Sequence, residues 1–131
     1  MKKNMAKLFR IVLPVSDIEQ AADFYFQVLG VKGKRVSSGK HFFEYEGFSL
    51  SCYDPLANGD KLGQGWMHHE NQFTYFSVKN LDALFFRLMK IPDAEIDSNI
   101  KENELGERLF YVLDPFGNPL CFVDEKTVYE G

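Results

Sequence analysis

A single arginine opens the first apolar run of this chain: in "FRIVLPVSD", Arg10 stands directly before "IVLPV". Its planar guanidinium carries five N–H donors in a fork that fits a carboxylate, a phosphate or a polar carbonyl. The plain alternatives are an ion pair with an internal Glu or Asp, or a side chain reaching solvent from the strand end. His68, His69 and Glu70 form the only His-rich tract, and two imidazoles beside a carboxylate are metal-ligand types. Adjacent loop residues point apart more often than together, which favours a solvated loop or a ligand-covering lid. Cys52 and Cys121 lie far apart, each inside an apolar run. They read as buried thiols in a reducing compartment rather than a disulfide framework.

Other catalytic apparatus is missing. There is no GxSxG elbow, no phosphate loop and no GxGxxG opening a helix after a strand. Cys121 has no identifiable histidine base. The carboxylates are dispersed: Glu104 and Glu107 flank a glycine in an expected exposed turn, while Glu44, Glu46 and Asp97 are candidates to face a cavity. His41 begins a strand and reads as a sheet-edge residue.

The elements that must position these groups follow from periodicity. Leu8 to Val15 reads as a buried strand, with Pro14 marking an edge or terminus. Ser16 or Asp17 can cap a helix whose apolar positions Ile18, Ala21, Ala22, Tyr25, Val28 and Leu29 recur at helical spacing and whose stop is Gly30. Three strands follow, at Val31 to Val36, His41 to Tyr45 and Phe48 to Tyr53. Asp54 to Asn71 holds three glycines and a proline without either periodicity and reads as a connecting loop. The pattern then restarts. Phe73 to Val78 alternates as a strand, Asn80 caps, and Leu81, Leu84, Phe85, Leu88 and Met89 make a helical stripe that Pro92 ends. Ile96 to Ile100 is a short strand or extended loop, Glu107 to Leu113 a strand, "DPFGN" a turn, and Pro119 to Val123 the last strand.

The halves answer each other, "PVSDI" in the first and "SVKNL" 63 positions later. This is an internal repeat of βαβββ type, an α+β arrangement. At 131 residues the chain is sized for one domain, with a first module at about 7–54, a linker at about 55–71 and a second module at about 72–125. Composition agrees with a globular protein: 45% hydrophobic, 26% charged and an unusual 15% aromatic. A net charge of −4 with scattered cations gives no attraction to phosphate backbones or anionic membranes. No run of signal-peptide or membrane-spanning length occurs, so a cytoplasmic location is expected.

With "VSDIEQAADFYFQVLG" opening the repeat and "DPFGNPLCFVDE" closing it, nearly the whole chain resembles the vicinal oxygen chelate superfamily. That group includes glyoxalase I, extradiol dioxygenases, fosfomycin-resistance transferases and bleomycin-resistance proteins. The resemblance implies two βαβββ modules curled into half-barrels around a cavity, and usually a homodimer. In glyoxalase-like members four strand positions hold a divalent metal, and these fall here on Arg10, Ser51, Phe73 and Cys121. That set does not build a hard cation site: Arg keeps its proton, Phe has no donor atom, and one thiolate with one hydroxyl is too few. The expectation is therefore a metal-free protein without cofactor. Arg10 replaces the metal as fixed positive charge, and Phe43, Tyr45, Trp66, Phe73, Tyr75 and Tyr111 are candidate aromatic walls around a small organic ligand. Two other readings stay open. One is a metal-dependent lyase, isomerase or dioxygenase with shifted ligands drawn from His68, His69, Glu70 or Glu44. The other is a mainly structural role with a filled cavity.

Overall fold

The computed structural model describes residues 5–59 and 71–131, apart from the side chain of Tyr45. The chain divides into two compact units, residues 1–66 and 67–131. Each is a mixed sheet with one helix against one face.

In the first unit β1 (Arg10–Pro14), α1 (Ile18–Leu29), β2 (Lys34–Ser37), β3 (Lys40–Tyr45) and β4 (Phe48–Tyr53) form a sheet of order β1-β4-β3-β2. β1 runs parallel to β4; the other pairs are antiparallel. Helix α1 starts where Asp17 accepts from the amide of Gln20 at 3.1 Å and stops at Gly30, whose φ of 76° is the left-handed cap that glycine adopts without strain. Its buried stripe is Ile18, Ala21, Phe24 and Tyr25. Phe24 joins the expected stripe, whereas Ala22 and Val28 are only partly covered. Tyr25 packs on Phe24 and on Phe43, with ring centroids 4.9 and 6.1 Å apart.

β1 was expected to be buried throughout, yet of its residues only Leu13 is buried, while Arg10 and Val12 are exposed. A strand alternates faces, and the helix covers only one of them. β2 starts three residues later than the apolar pattern suggests. A Cβ at Gly33 would meet the carbonyl oxygen of Phe42 at 2.6 Å, so the chain passes β3 too closely there, with φ at +68°. The same crossing explains His41. It sits in β3 between β4 and β2 rather than at a sheet edge, and is buried. Its Nε2 donates to the Lys32 carbonyl at 2.8 Å while Nδ1 accepts from Arg35 Nε–H at 3.3 Å, which fixes one neutral tautomer as a structural tie.

The second unit repeats the plan with β5 (Thr74–Val78), α2 (Leu81–Met89), β6 (Glu95–Ile96), β7 (Lys101–Glu102), β8 (Arg108–Leu113) and β9 (Pro119–Asp124). The order is β5-β9-β8-β6, with β7 also on β8. Asn80 caps α2 by accepting from the amide of Ala83 at 3.0 Å. Leu81, Leu84 and Leu88 are buried; Met89 falls outside the stripe, 60% exposed. Where the first unit has one outer strand, the second has two short ones, because the Ser98 side chain interrupts the ladder: its Oγ accepts the Tyr111 amide at 3.1 Å. The "DPFGN" turn closes on itself. The Asp114 carboxylate, buried, accepts from the amides of Phe116 and Asn118 and from the Asn118 side chain at 2.8–2.9 Å.

Each helix is tied to its sheet by an arginine on a carboxylate at the corresponding position of its first turn, though the arginines come from non-corresponding strands, β2 and β8. Arg35 forks onto Glu19 of α1 at 2.8 and 3.0 Å, and Arg108 onto Asp82 of α2 at 2.9 and 3.1 Å. Both carboxyls are lowered by the guanidinium bonded to them. Exposed pairs of this kind orient the helix more than they stabilise it. No helix among the described residues is long and apolar enough to cross a membrane.

Candidate functional site

The register of the first sheet decides which side chains share the face away from α1. Arg10 pairs with Ser49, and Ser49 pairs across with Glu44, so Arg10, Ser49 and Glu44 form one rung over three strands. The next rung on that face is Val12, Ser51 and Phe42. Ser51, which the resemblance matches to a metal position, is also buried and lies one rung further along than Ser49, the residue that pairs with Arg10.

Arg10 lies over two rings, its guanidinium carbon 4.6 Å from the centroid of Phe42 and 5.3 Å from that of Phe9. It forms no ion pair among the described residues. Stacking on an aromatic face engages the plane of the guanidinium and leaves its N–H edge available. A cavity of about 440 Å³ opens at this point, lined by Phe9, Arg10, Glu44, Gly47, Phe48 and Ser49. That volume lies within the roughly 300–1,000 Å³ of small-molecule sites. Ser49 is only 5% exposed, and its Oγ has no hydrogen-bond partner among the described residues. An unpaired buried hydroxyl costs folding free energy.

Phe43, expected as a stacking face, points the other way: it is fully buried against Tyr25 and His41. Its neighbour Phe42 faces the cavity side. Successive strand residues alternate, so an error of one position exchanges a wall residue for a core residue. Trp66, His68, His69 and Glu70 lie outside the described residues, as does the Tyr45 side chain.

In the second unit Tyr75, Cys121 and Tyr111 form one rung of three strands, so three of the residues singled out from sequence come together. Phe73 packs edge-on against Tyr111 at 5.2 Å, and Lys101 Nζ lies 5.1 Å from the Tyr111 centroid on the same side chain. Cys121 is fully buried. Burial, then the Glu107 charge, pushes its thiol up to about 12, against which the Tyr75 hydrogen bond acts weakly. The Tyr75 hydroxyl is also pushed up to about 12, by desolvation and by its hydrogen bond with Tyr111. At neutral pH the Tyr75 hydroxyl and the Cys121 thiol both keep their protons.

A profile of the glyoxalase/bleomycin resistance protein/dioxygenase superfamily matches residues 7–122. The chain belongs to that superfamily. Solved structures show the same fold. A glyoxalase-related enzyme from Fulvimarina pelagi superposes with a TM-score of 0.75 at 18% identity, over 92% of this chain and 88% of that one. A glyoxalase/bleomycin resistance protein from Albidiferax ferrireducens T118 gives 0.72 at 19% identity, over 89% and 98%. A superfamily member from Sphaerobacter thermophilus DSM 20745 gives 0.68 at 21% identity, over 92% and 98%. No curated protein matches the chain.

Many enzymes of the glyoxalase type use a divalent metal, and the four positions that the resemblance assigns to it do not supply a hard donor set. Arg10 is cationic and stacked on rings, Phe73 has no donor atom, Ser51 offers only a hydroxyl, and Cys121 a single thiol. Among the described residues no group of three or more His, Cys, Asp or Glu is placed to hold a metal ion.

Proposed function

We propose that this superfamily member is a metal-free binding protein that holds a small organic molecule, with Arg10 as the fixed positive charge. The observation that supports this reading is the Arg10 guanidinium over Phe42 and Phe9, without an acidic partner among the described residues, at a cavity of about 440 Å³. An oxyanion on the ligand takes the N–H edge of the guanidinium. Its flat or apolar part lies against Phe9 and Phe48. Cation–π contacts are worth about 0.5–1 kcal/mol at exposed sites, enough to aim the side chain without locking it.

The test is a ligand-observed NMR screen of aromatic carboxylates against protein treated with chelator, followed by titration of each hit into Arg10→Ala. Arg10 is exposed, so the variant folds normally. The expected loss of affinity is at least tenfold, in line with about 1.5–3 kcal/mol for a charged hydrogen bond. Unchanged affinity for every hit removes Arg10 from the binding role.

A further inference from the structure

Resting on the reading of Arg10 as an anion anchor, we infer that the Arg10–Ser49–Glu44 rung selects a zwitterion: a ligand with a carboxylate for Arg10 and an ammonium for Glu44.

Three observations carry it. First, the rung sets opposite charges on either side of an unpaired hydroxyl. Strands lie about 4.8 Å apart, so the backbones of Arg10 and Glu44, two strands apart, are separated by about 10 Å. The two charges form no ion pair with each other, because Arg10 is drawn onto Phe42 and Phe9. Long side chains can lean inward over that interval from both ends, so a molecule bearing a carboxylate and an ammonium a few ångström apart can meet both charges.

Second, the Ser49 hydroxyl is buried in the cavity lining between them, without a hydrogen-bond partner among the described residues. A hydroxyl both donates and accepts, so it can donate to the ligand carboxylate or accept from its ammonium.

Third, the repeat supplies an internal comparison. In the second unit Leu113 pairs with Pro119 at the rung matching Glu44 and Ser49, and Phe73 stands at the position matching Arg10. The same fold is built there from three apolar residues. The polar trio of the first unit is therefore not required by the sheet. A lone anion would also be opposed by Glu44 in the same cavity, whereas a zwitterion satisfies both charges.

The test titrates three probes of one skeleton into the full-length protein by calorimetry: phenylalanine, 3-phenylpropanoate, which lacks the ammonium, and phenethylamine, which lacks the carboxylate. The expected order has phenylalanine tightest by at least tenfold. Glu44→Gln should erase that advantage and leave 3-phenylpropanoate binding as well as before or better. Ser49→Ala should weaken phenylalanine severalfold while raising thermal stability, since it removes an unsatisfied buried group; a merely structural serine would not move these two readouts in opposite directions. If 3-phenylpropanoate binds as tightly as phenylalanine and loses affinity in Arg10→Ala, the zwitterion is overturned and the anion anchor stands. If phenethylamine binds tightest, or binding of every probe is indifferent to Arg10→Ala, the anchor falls as well. If no probe binds, the zwitterion inference is overturned, and the anchor is judged by the carboxylate screen.

Discussion

At the scale of single residues, chemistry and burial pull in different directions on the two sheet faces turned away from the helices. Arg10 and Glu44 are exposed charges that cost the fold little, while Ser49 is a buried hydroxyl that costs it something. Cys121 is the opposite case, a polar atom made inert by burial. Its thiol is raised from the ordinary 9.0 to about 12, so the folded chain keeps a proton that the unfolded chain sheds. Stability from this group is complete below about pH 9 and falls as pH rises toward 12. Tyr75 acts in the same sense from about pH 10, but it is 57% exposed and contributes less. Urea denaturation at pH 8 and pH 10.5 is expected to show an alkaline loss of stability that Cys121→Ala makes shallower; an unchanged slope would show that the thiol titrates normally in the folded state. Arg10 was legible in the sequence because a charge before an apolar run is conspicuous. Ser49 was not, since its partnership with Arg10 depends on a parallel register between β1 and β4 that lies far outside local pattern.

At the scale of elements, the caps and stripes follow directly from residue types. Asp17 and Asn80 occupy corresponding positions of the repeat and each satisfies an amide of the first helical turn. Asn80→Ala is expected to lower stability by about 1 kcal/mol, seen as a melting temperature lower by about 4 °C. A shift under 1 °C would mean that packing of Leu81, Leu84 and Leu88 holds the helix start without the cap. β4 was legible to its ends, Phe48 to Tyr53. The outer strand of the second unit was not: Ile96 to Ile100 reads as one short segment, but the structure has two strands on either side of Ser98, and the break depends on a side-chain hydroxyl bonding a distant amide. The face of β3 was misjudged for a related reason. Phe42 and Phe43 are adjacent aromatics, and nothing in "HFFEY" tells which one faces α1 until Tyr25 is packed.

At the scale of the whole molecule, duplication explains why fold and site separate so cleanly. Both units solve the same folding problem with a capped helix, an Arg–carboxylate tie at its first turn and a core of rings, Phe24, Tyr25 and Phe43 in the first and Phe76, Phe110 and Phe122 in the second. The faces turned away from the helices differ, one carrying Arg10, Ser49 and Glu44, the other Tyr75, Tyr111 and Cys121. Superfamily membership accounts for what is common and says little about what is different, because function belongs to the site rather than the fold. Central to the proposed function is the guanidinium of Arg10, at the position that the family resemblance assigns to a metal ligand. Elemental analysis of untagged protein, purified without chelator, tests this most directly. Well under about 0.1 equivalent of any divalent transition metal per chain is expected; about one equivalent, lost on replacing His68, His69 or Glu70, would contradict the metal-free reading and make the protein a metalloenzyme with relocated ligands.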